Sequence, residues 1–471
     1  MRPGDAWGYR PALDGVRALA VTLVVLFHAG MLEFGGGFVG VDLFFVLSGY
    51  LVTTILLTEL GSTGTVRLRR FYARRIRRLL PAAIVLVVAT SAAWVLIAPI
   101  TERIELVGDA RAALLYVANW SFIARSTDYF ATDADRSPFI HFWSLSIEEQ
   151  FYFLFPLLLI VLYRLRPRFG RHGRRVVPGA LVAICAVSLL FQLAWAGSDP
   201  TRAYYGTEAR FYQLAAGALL AVRLRRMPDR SRGGPGDRGL AWIGAIGLLV
   251  LGSGILGMSP SLRGMLATLL SVALIAGLER SPAGRVGFFF SRPPLVYLGR
   301  ISYATYLWHW PIILFLGALL VVEPWVMALL ALPLATALAA LSAELVELPI
   351  RRAPLLDRFP RVVIAVGLAT SVAVAVAIPV ILEADRRPAI AGGEEDPWLF
   401  LPEESLLPSA APPTATPSPT DAPPTAQPPT EPPIVPSPSE SPSPAGAGPG
   451  GPRPAATVAP LGRAGGAGGP R

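Results

Sequence analysis

Eleven runs of mostly apolar residues recur along the first 382 positions, and they constrain this chain more than anything else in it. A helix that crosses the hydrocarbon of a bilayer needs about 20 such residues. The runs lie at roughly 13–31, 38–60, 79–98, 140–163, 178–197, 207–222, 240–257, 263–278, 300–321, 325–346 and 361–382. Only 16% of the residues are charged, against about 25% in a soluble domain, so charge cannot cover the outside of the fold and lipid must. With no water to satisfy exposed backbone, helices are the natural spanning element. The chain therefore reads as all-α, a polytopic transmembrane helix bundle of about 10–11 spans.

A net charge of +10 would ordinarily raise nucleic acid as a partner. Here the basic residues are all Arg and sit in short connections, which excludes that class and sets orientation instead. Residues 67–78 hold seven Arg, 164–175 and 223–238 six each, and 347–361 four. All four fall on one side, which is then cytoplasmic together with the N-terminus, and 99–139 lies outside. Residues 104–124, with Glu105, Asp109 and Arg111, read as an external or re-entrant amphipathic segment, because an extra span there would break the alternation. Arg2 and Arg10 before Ala18–Val25 resemble a signal peptide, but the apolar run continues past His28 without a small-residue cleavage site and reads as a retained helix. The Arg-, Ala-, Gly- and Pro-rich composition suggests a GC-rich bacterium, and hence a multi-pass protein of the inner (cytoplasmic) membrane.

Two domains follow. Residues 1–384 form the membrane domain, and 385–471, rich in Pro, Ala, Ser, Thr and Gly, form a disordered extracytoplasmic tail. Such a segment cannot bury enough apolar surface to offset its ordering entropy. The single cysteine, Cys185, can form neither an internal disulfide nor a zinc site and reads as a packing residue; no metal is expected.

Ionisable residues inside spans cost about 2.5–3.5 kcal/mol each on insertion scales and mark candidate sites. Arg17 and His28 are eleven residues apart, about 16 Å on nearly one helix face; Arg17 either snorkels to the interface or acts, and His28 is the candidate general base. Gly35-Gly36-Gly37 turns the chain tightly and brings Asp42 near His28, to orient the imidazole or merely to cap its helix. Arg74, Arg75, Arg77 and Arg78, in Tyr72-Ala73-Arg74-Arg75-Ile76-Arg77-Arg78, either grip phosphates from one helix face or only set topology. Glu148 and Glu149 point about 100° apart, so at most one faces a given cavity. His141 precedes them as an interfacial anchor. His309, beside Pro311, is either a packed histidine or part of the chemistry, and His309, Tyr303 and Trp308 are the candidate substrate contacts. Arg210, Gln213, Glu344 and Glu347 are weaker candidates. No phosphate-cradling Gly-rich loop with Lys, no His-Glu-x-x-His and no Gly-x-Ser-x-Gly is present, so ATP-driven transport and serine- or zinc-based hydrolysis lack their usual signatures.

Five motifs, in order, resemble the acyltransferase-3 family of bacterial membrane acyltransferases over residues 9–384: Leu13-Asp14-Gly15-Val16-Arg17 with His28, Gly40–Gly49, Tyr72–Pro81, Trp143–Tyr152 and Ser302–Pro311. The resemblance implies O-acylation of an envelope sugar. The donor would be a cytoplasmic acyl-CoA, commonly acetyl-CoA, used as substrate with no permanently bound cofactor, and the acceptor a hydroxyl of a carbohydrate or glycolipid at the outer face. It places Arg17 and His28 in an essential pair, Arg74–Arg78 at the donor phosphates, and Glu148 or Glu149 as an assistant to transfer. Some members carry an extracytoplasmic SGNH-type domain after an eleventh helix. Here the Pro-rich tail follows that helix, so a scheme needing such a domain would take it from a separate partner. The residues alone also admit a proton-coupled exporter of a sugar or lipid, or an inactive scaffold.

Overall fold

A computed structural model describes residues 8–130, 137–227 and 233–384; the Pro-rich tail expected from 385 onward lies outside the described residues. Sixteen α-helices follow one another with no strand among the described residues. They are α1 (Pro11–His28), α2 (Val39–Thr63), α3 (Leu68–Ile97), α4 (Ile100–Leu114), α5 (Ala118–Ala124), α6 (Phe142–Leu165), α7 (Gly173–Ser198), α8 (Pro200–Tyr205), α9 (Thr207–Arg226), α10 (Pro235–Gly252), α11 (Pro260–Arg280), α12 (Arg285–Phe290), α13 (Pro293–Leu319), α14 (Pro324–Ser342), α15 (Leu348–Arg352) and α16 (Pro360–Leu382). Prolines begin many of them, Pro11, Pro235, Pro260, Pro293, Pro324 and Pro360 among others, since the first turn needs no N–H from that residue. Gly64, at φ 72°, ends α2 by returning its N–H to the Leu60 carbonyl, a conformation other residues adopt only at a cost.

Each of the eleven apolar runs is a helix. Seven stretches are long and apolar enough to cross a membrane by length and composition, one of them containing both α6 and α7. Helices α9, α10 and α13 miss that measure; α13 carries Arg300, Ser302, Thr305 and His309 within its length, and α9 carries Arg210 and Gln213. Large apolar side chains on the outer faces, such as Leu190, Ile243, Leu329 and Val376, are more than half exposed, a surface suited to lipid and not to water. The chain is a multi-pass membrane protein.

The largest difference from the sequence reading is at one boundary. Helix α3 begins at Leu68 and not at 79, because Arg is a good helix former and the Arg-rich segment continues the helix beyond its apolar part. Residues 104–124 form the short helices α4 and α5; Arg103 and Arg111 of α4 donate to the Ala384 and Ala375 carbonyls, laying α4 along α16.

Helix pairs meet where side chains are absent. A Cβ on Gly299 would stand 1.8 Å from the Asp14 carbonyl oxygen, and one on Gly15 would stand 2.0 Å from that of Phe290. Glycine therefore sets the approach of α13 and α12 to α1, and Gly49 and Gly217 do the same between α2 and α9. Gly299→Ala should separate α1 from α13 and destabilise the protein by about 1–3 kcal/mol. Thermal unfolding in detergent checks this, and an unchanged midpoint would contradict it.

Candidate active site

A cavity of about 600 Å³ opens between α1, α2, α3, α6, α13 and α15. Its wall carries Arg10 and Arg17, Arg75 and Arg78 from α3, and Arg351 from α15. Arg10 lies 3.5 Å from Glu279 and Arg17 3.2 Å from Asp14. Among the described residues no carboxylate lies within ion-pair distance of Arg75, Arg78 or Arg351. Guanidiniums left in this way on a cavity wall suit an anion with several oxygens. At the rim, the Tyr9 hydroxyl donates to Asp14 at 2.8 Å and Arg300 covers the Tyr9 ring. Burial, and then the bond to the Asp14 carboxylate, push the Tyr9 phenol above its ordinary range.

The four arginines of the α3 motif divide by helix phase. Arg75 lies 3.8 Å over the Tyr152 ring and with Arg78 lines the cavity. Arg74 is exposed and outside the lining. Arg77 is buried and committed elsewhere, to the carbonyls of Ile350, Arg351 and Ala353 at 2.7–3.0 Å and to Asp357 at 2.5 Å. It clamps α15 to α3.

Of the paired carboxylates, Glu148 lines the cavity and Glu149 does not. Ser48 donates to Glu148 Oε1 at 2.9 Å, and the Tyr152 hydroxyl lies 2.9 Å from both Glu148 Oε2 and Ser48. These bonds fix the carboxylate against the wall. Tyr303 also lines the cavity, its hydroxyl donating to the Leu79 carbonyl at 2.9 Å, whereas Trp308 packs against the apolar core.

The lining of α13 ends at Tyr306, one helical turn short of His309. The Tyr306 hydroxyl lies 2.8 Å from Ser144 Oγ and donates to the His141 carbonyl at 3.1 Å, joining α13 to the start of α6. Behind it stand two histidines. His28 Nδ1 is 2.9 Å from His309 Nε2, and His28 Nε2 is 2.7 Å from the Tyr129 hydroxyl. His309 is fully buried, with Nδ1 2.5 Å from the Tyr306 carbonyl. The His141 ring stands 5.6 Å from that of His309. Tyr129 stacks on Tyr204 at 4.6 Å beneath Phe130, and Trp310 lies 4.8 Å from His28, so the outer end of the pair is roofed by aromatic rings.

Asp42, expected near His28, is given a different partner. Its Oδ1 receives Arg210 Nη1 at 3.1 Å and Gln213 Nε2 at 2.6 Å, and both ends of the ion pair are buried. The Trp143 and Tyr204 rings cover the Arg210 guanidinium, which also donates to the Tyr204 carbonyl. Asp42 thus ties α2 to α9 and holds the aromatic roof. Glu344 and Glu347 fall in a π-helical turn, Ala343–Glu347, between α14 and α15.

Tyr306, Ser144, Ser48 and Tyr152 lie within the sequence motifs but carry no role there individually, and Tyr129 lies outside all of them. Tyr306 is three residues before His309, on the same helix face, and that spacing was a usable signal. Tyr129 lies in the connection between α5 and α6, where no periodicity points to it.

A family profile described as an acyltransferase domain, that of the acyltransferase-3 family, matches residues 10–344. The chain belongs to the acyltransferase-3 family. It is 35% identical over 362 residues to the peptidoglycan O-acetyltransferase OatA of Listeria monocytogenes, covering 74% of this chain and 57% of that protein. It is 33% identical over 353 residues to the O-acetyltransferase OatA of Staphylococcus aureus strain NCTC 8325, covering 73% of this chain and 57% of the relative. The chain thus spans little more than half the length of these curated relatives. No solved structure matches it significantly. In this acyltransferase-3 chain the three motif segments around Arg17, Glu148 and Tyr303 converge on one cavity, and His28 and His309 meet just beyond it.

The division among the arginines is testable. Arg77→Ala should cost about 2 kcal/mol of stability through its lost buried bonds. Arg75→Ala with Arg78→Ala should leave the thermal midpoint near wild type, because among the described residues neither guanidinium is paired with a carboxylate. A midpoint lowered in the double variant as far as in Arg77→Ala, measured by thermal unfolding in detergent, would contradict the division.

Proposed function

We propose that this protein transfers an acyl group, in the first instance acetyl, from cytoplasmic acyl-CoA to a hydroxyl of an extracytoplasmic envelope carbohydrate. The names of the relatives favour peptidoglycan as the acceptor. The observation that carries the reading is the alignment of the Arg-lined cavity with the His28–His309 pair on the same two helices, α1 and α13. Its orientation rests on the Arg distribution: the Arg-rich end faces the cytoplasm and the N-terminus lies inside. Residues 1–384 are the catalytic membrane domain, and the Pro-rich segment after it lies outside the cytoplasm.

In this reading the donor phosphates rest against Arg75 and Arg78, with Arg17 and Arg351 completing the positive wall. The pantetheine arm runs along the wall past Glu148 and Tyr303 toward Ser144 and Tyr306. The thioester reaches His28 once the Tyr306–Ser144 contact opens. His28 takes the proton of the acceptor hydroxyl as its oxygen forms the new C–O bond. The C–S bond breaks, and the imidazolium returns the proton to the departing thiolate, leaving an O-acyl ester and free coenzyme A. Glu148, held by Ser48 and Tyr152, orients the arm. A separate SGNH-type partner carrying the acyl group onward is compatible with this scheme, because its product is already on the outer side.

Purified protein in liposomes, given radiolabelled acetyl-CoA and envelope glycan fragments, should release coenzyme A and label the glycan. His28→Ala should lower that rate by at least about 10²-fold with insertion intact. Well-folded wild type that neither binds nor consumes acetyl-CoA, but moves a sugar or lipid in response to a proton gradient, would replace this reading with transport.

A further inference from the structure

With both imidazoles neutral, the hydrogen bonds that link Tyr306, His309, His28 and Tyr129 fit one arrangement of protons. A backbone carbonyl has lone pairs and no hydrogen, so His309 Nδ1, 2.5 Å from the Tyr306 carbonyl, must carry the proton of that bond. A neutral imidazole with its hydrogen on Nδ1 presents a lone pair at Nε2. That nitrogen lies 2.9 Å from His28 Nδ1, so His28 Nδ1 is the donor and carries the hydrogen of its own ring. His28 Nε2 then accepts, and the Tyr129 hydroxyl 2.7 Å away donates to it. One helix carbonyl, that of Tyr306, sets the order of every proton from α13 to Tyr129.

We infer that His309 is the positioning residue of this site: it holds His28 in the Nδ1–H tautomer and leaves Nε2 as the reacting nitrogen. This rests on the reading of His28 as the base. The arrangement parallels a carboxylate behind a catalytic histidine, which fixes the tautomer and receives the imidazolium's second N–H. Here the second group is neutral. When His28 Nε2 takes a proton, its Nδ1–H keeps donating to His309 Nε2, so the developing charge is hydrogen-bonded without a permanent ion buried beside it. The hydroxyl of Tyr129 occupies the position from which an acceptor hydroxyl would deliver its proton. His309 is therefore no substrate contact, as the sequence suggested, but acts through His28.

The order can be read without turnover. The chain has four histidines, His28, His141, His172 and His309, so ¹⁵N-histidine labelling gives few signals, and a His28→Gln sample assigns those of His28. Wild type should show His28 with a protonated Nδ1 and a bare Nε2, opposite to the tautomer that free histidine prefers in water. Tyr129→Phe should preserve this pattern, because the order is set from the His309 side. His309→Ala should return His28 to the Nε2–H form and lower kcat by about 10²-fold with the donor KM unchanged. His309→Gln, whose side-chain oxygen can accept from Nδ1–H, should recover part of both.

A wild-type His28 protonated at Nε2 overturns the inference, as does a His28 pattern unmoved by His309→Ala. If His309→Ala does not fold, the wild-type and Tyr129→Phe spectra decide it alone. The two readings fail separately. The predicted tautomer with undiminished transfer by His28→Ala sinks the catalytic reading, whereas the wrong tautomer with transfer lost in His28→Ala sinks only the role of His309.

Discussion

Backbone touches backbone between α1 and α13, and the geometry of the site follows from that contact. Because Gly299 has no side chain, α13 can lie against the Asp14 carbonyl near the start of α1. From that fulcrum the two helices run alongside each other, so that Arg17 and Tyr303 share one cavity wall, and a few turns further on His28 meets His309. Eleven residues separate Arg17 from His28, about 16 Å along the axis. One helix thus presents a cation at one end of the path and an imidazole at the other. A methyl group at Gly299 would disturb both ends together.

Charge is managed in a second way. Burying an ion in a bundle without water is costly unless it is paired and hydrogen-bonded. Asp42 and Arg210 are paired in this way, Asp42 Oδ1 also receiving Gln213 and Arg210 also donating to the Tyr204 carbonyl. Arg77 meets them with three carbonyls and Asp357. Both hold helices together. Arg75 and Arg78, two and one positions away in the same motif, are left facing a cavity. Helix-clamping and cavity-lining arginines sit side by side because successive residues of a helix point about 100° apart.

The helices were legible because period and length are local properties, and all eleven apolar runs became helices. The polar residues were legible as a set, since each stood out against an apolar background; Arg17, Glu148 and Tyr303 do line one cavity, and His28 does adjoin it. Their partners were not legible. Asp42 was read against His28, its neighbour across a short turn, while its actual partner Arg210 is 168 residues further along the chain. Arg74 to Arg78 looked equivalent because the motif does not reveal which flank α15 will cover. His309 read as a packed histidine or a substrate contact, and only the Tyr306 carbonyl beneath it and His28 beside it distinguish its part. Pairings of this kind are set by how helices pack, and no single segment encodes them.

The account depends on a donor that enters among the arginines and is read out at His28. The most direct measurement is a structure of the protein bound to a non-reactive thioether analogue of acetyl-CoA. The account predicts its phosphates against Arg75 and Arg78, the Tyr306–Ser144 contact opened, and the acyl carbonyl within about 3–3.5 Å of where a hydroxyl held at His28 Nε2 would attack. Phosphates bound away from these arginines, or an acyl end that stops below a closed Tyr306–Ser144 contact in a turnover-competent protein, would contradict it.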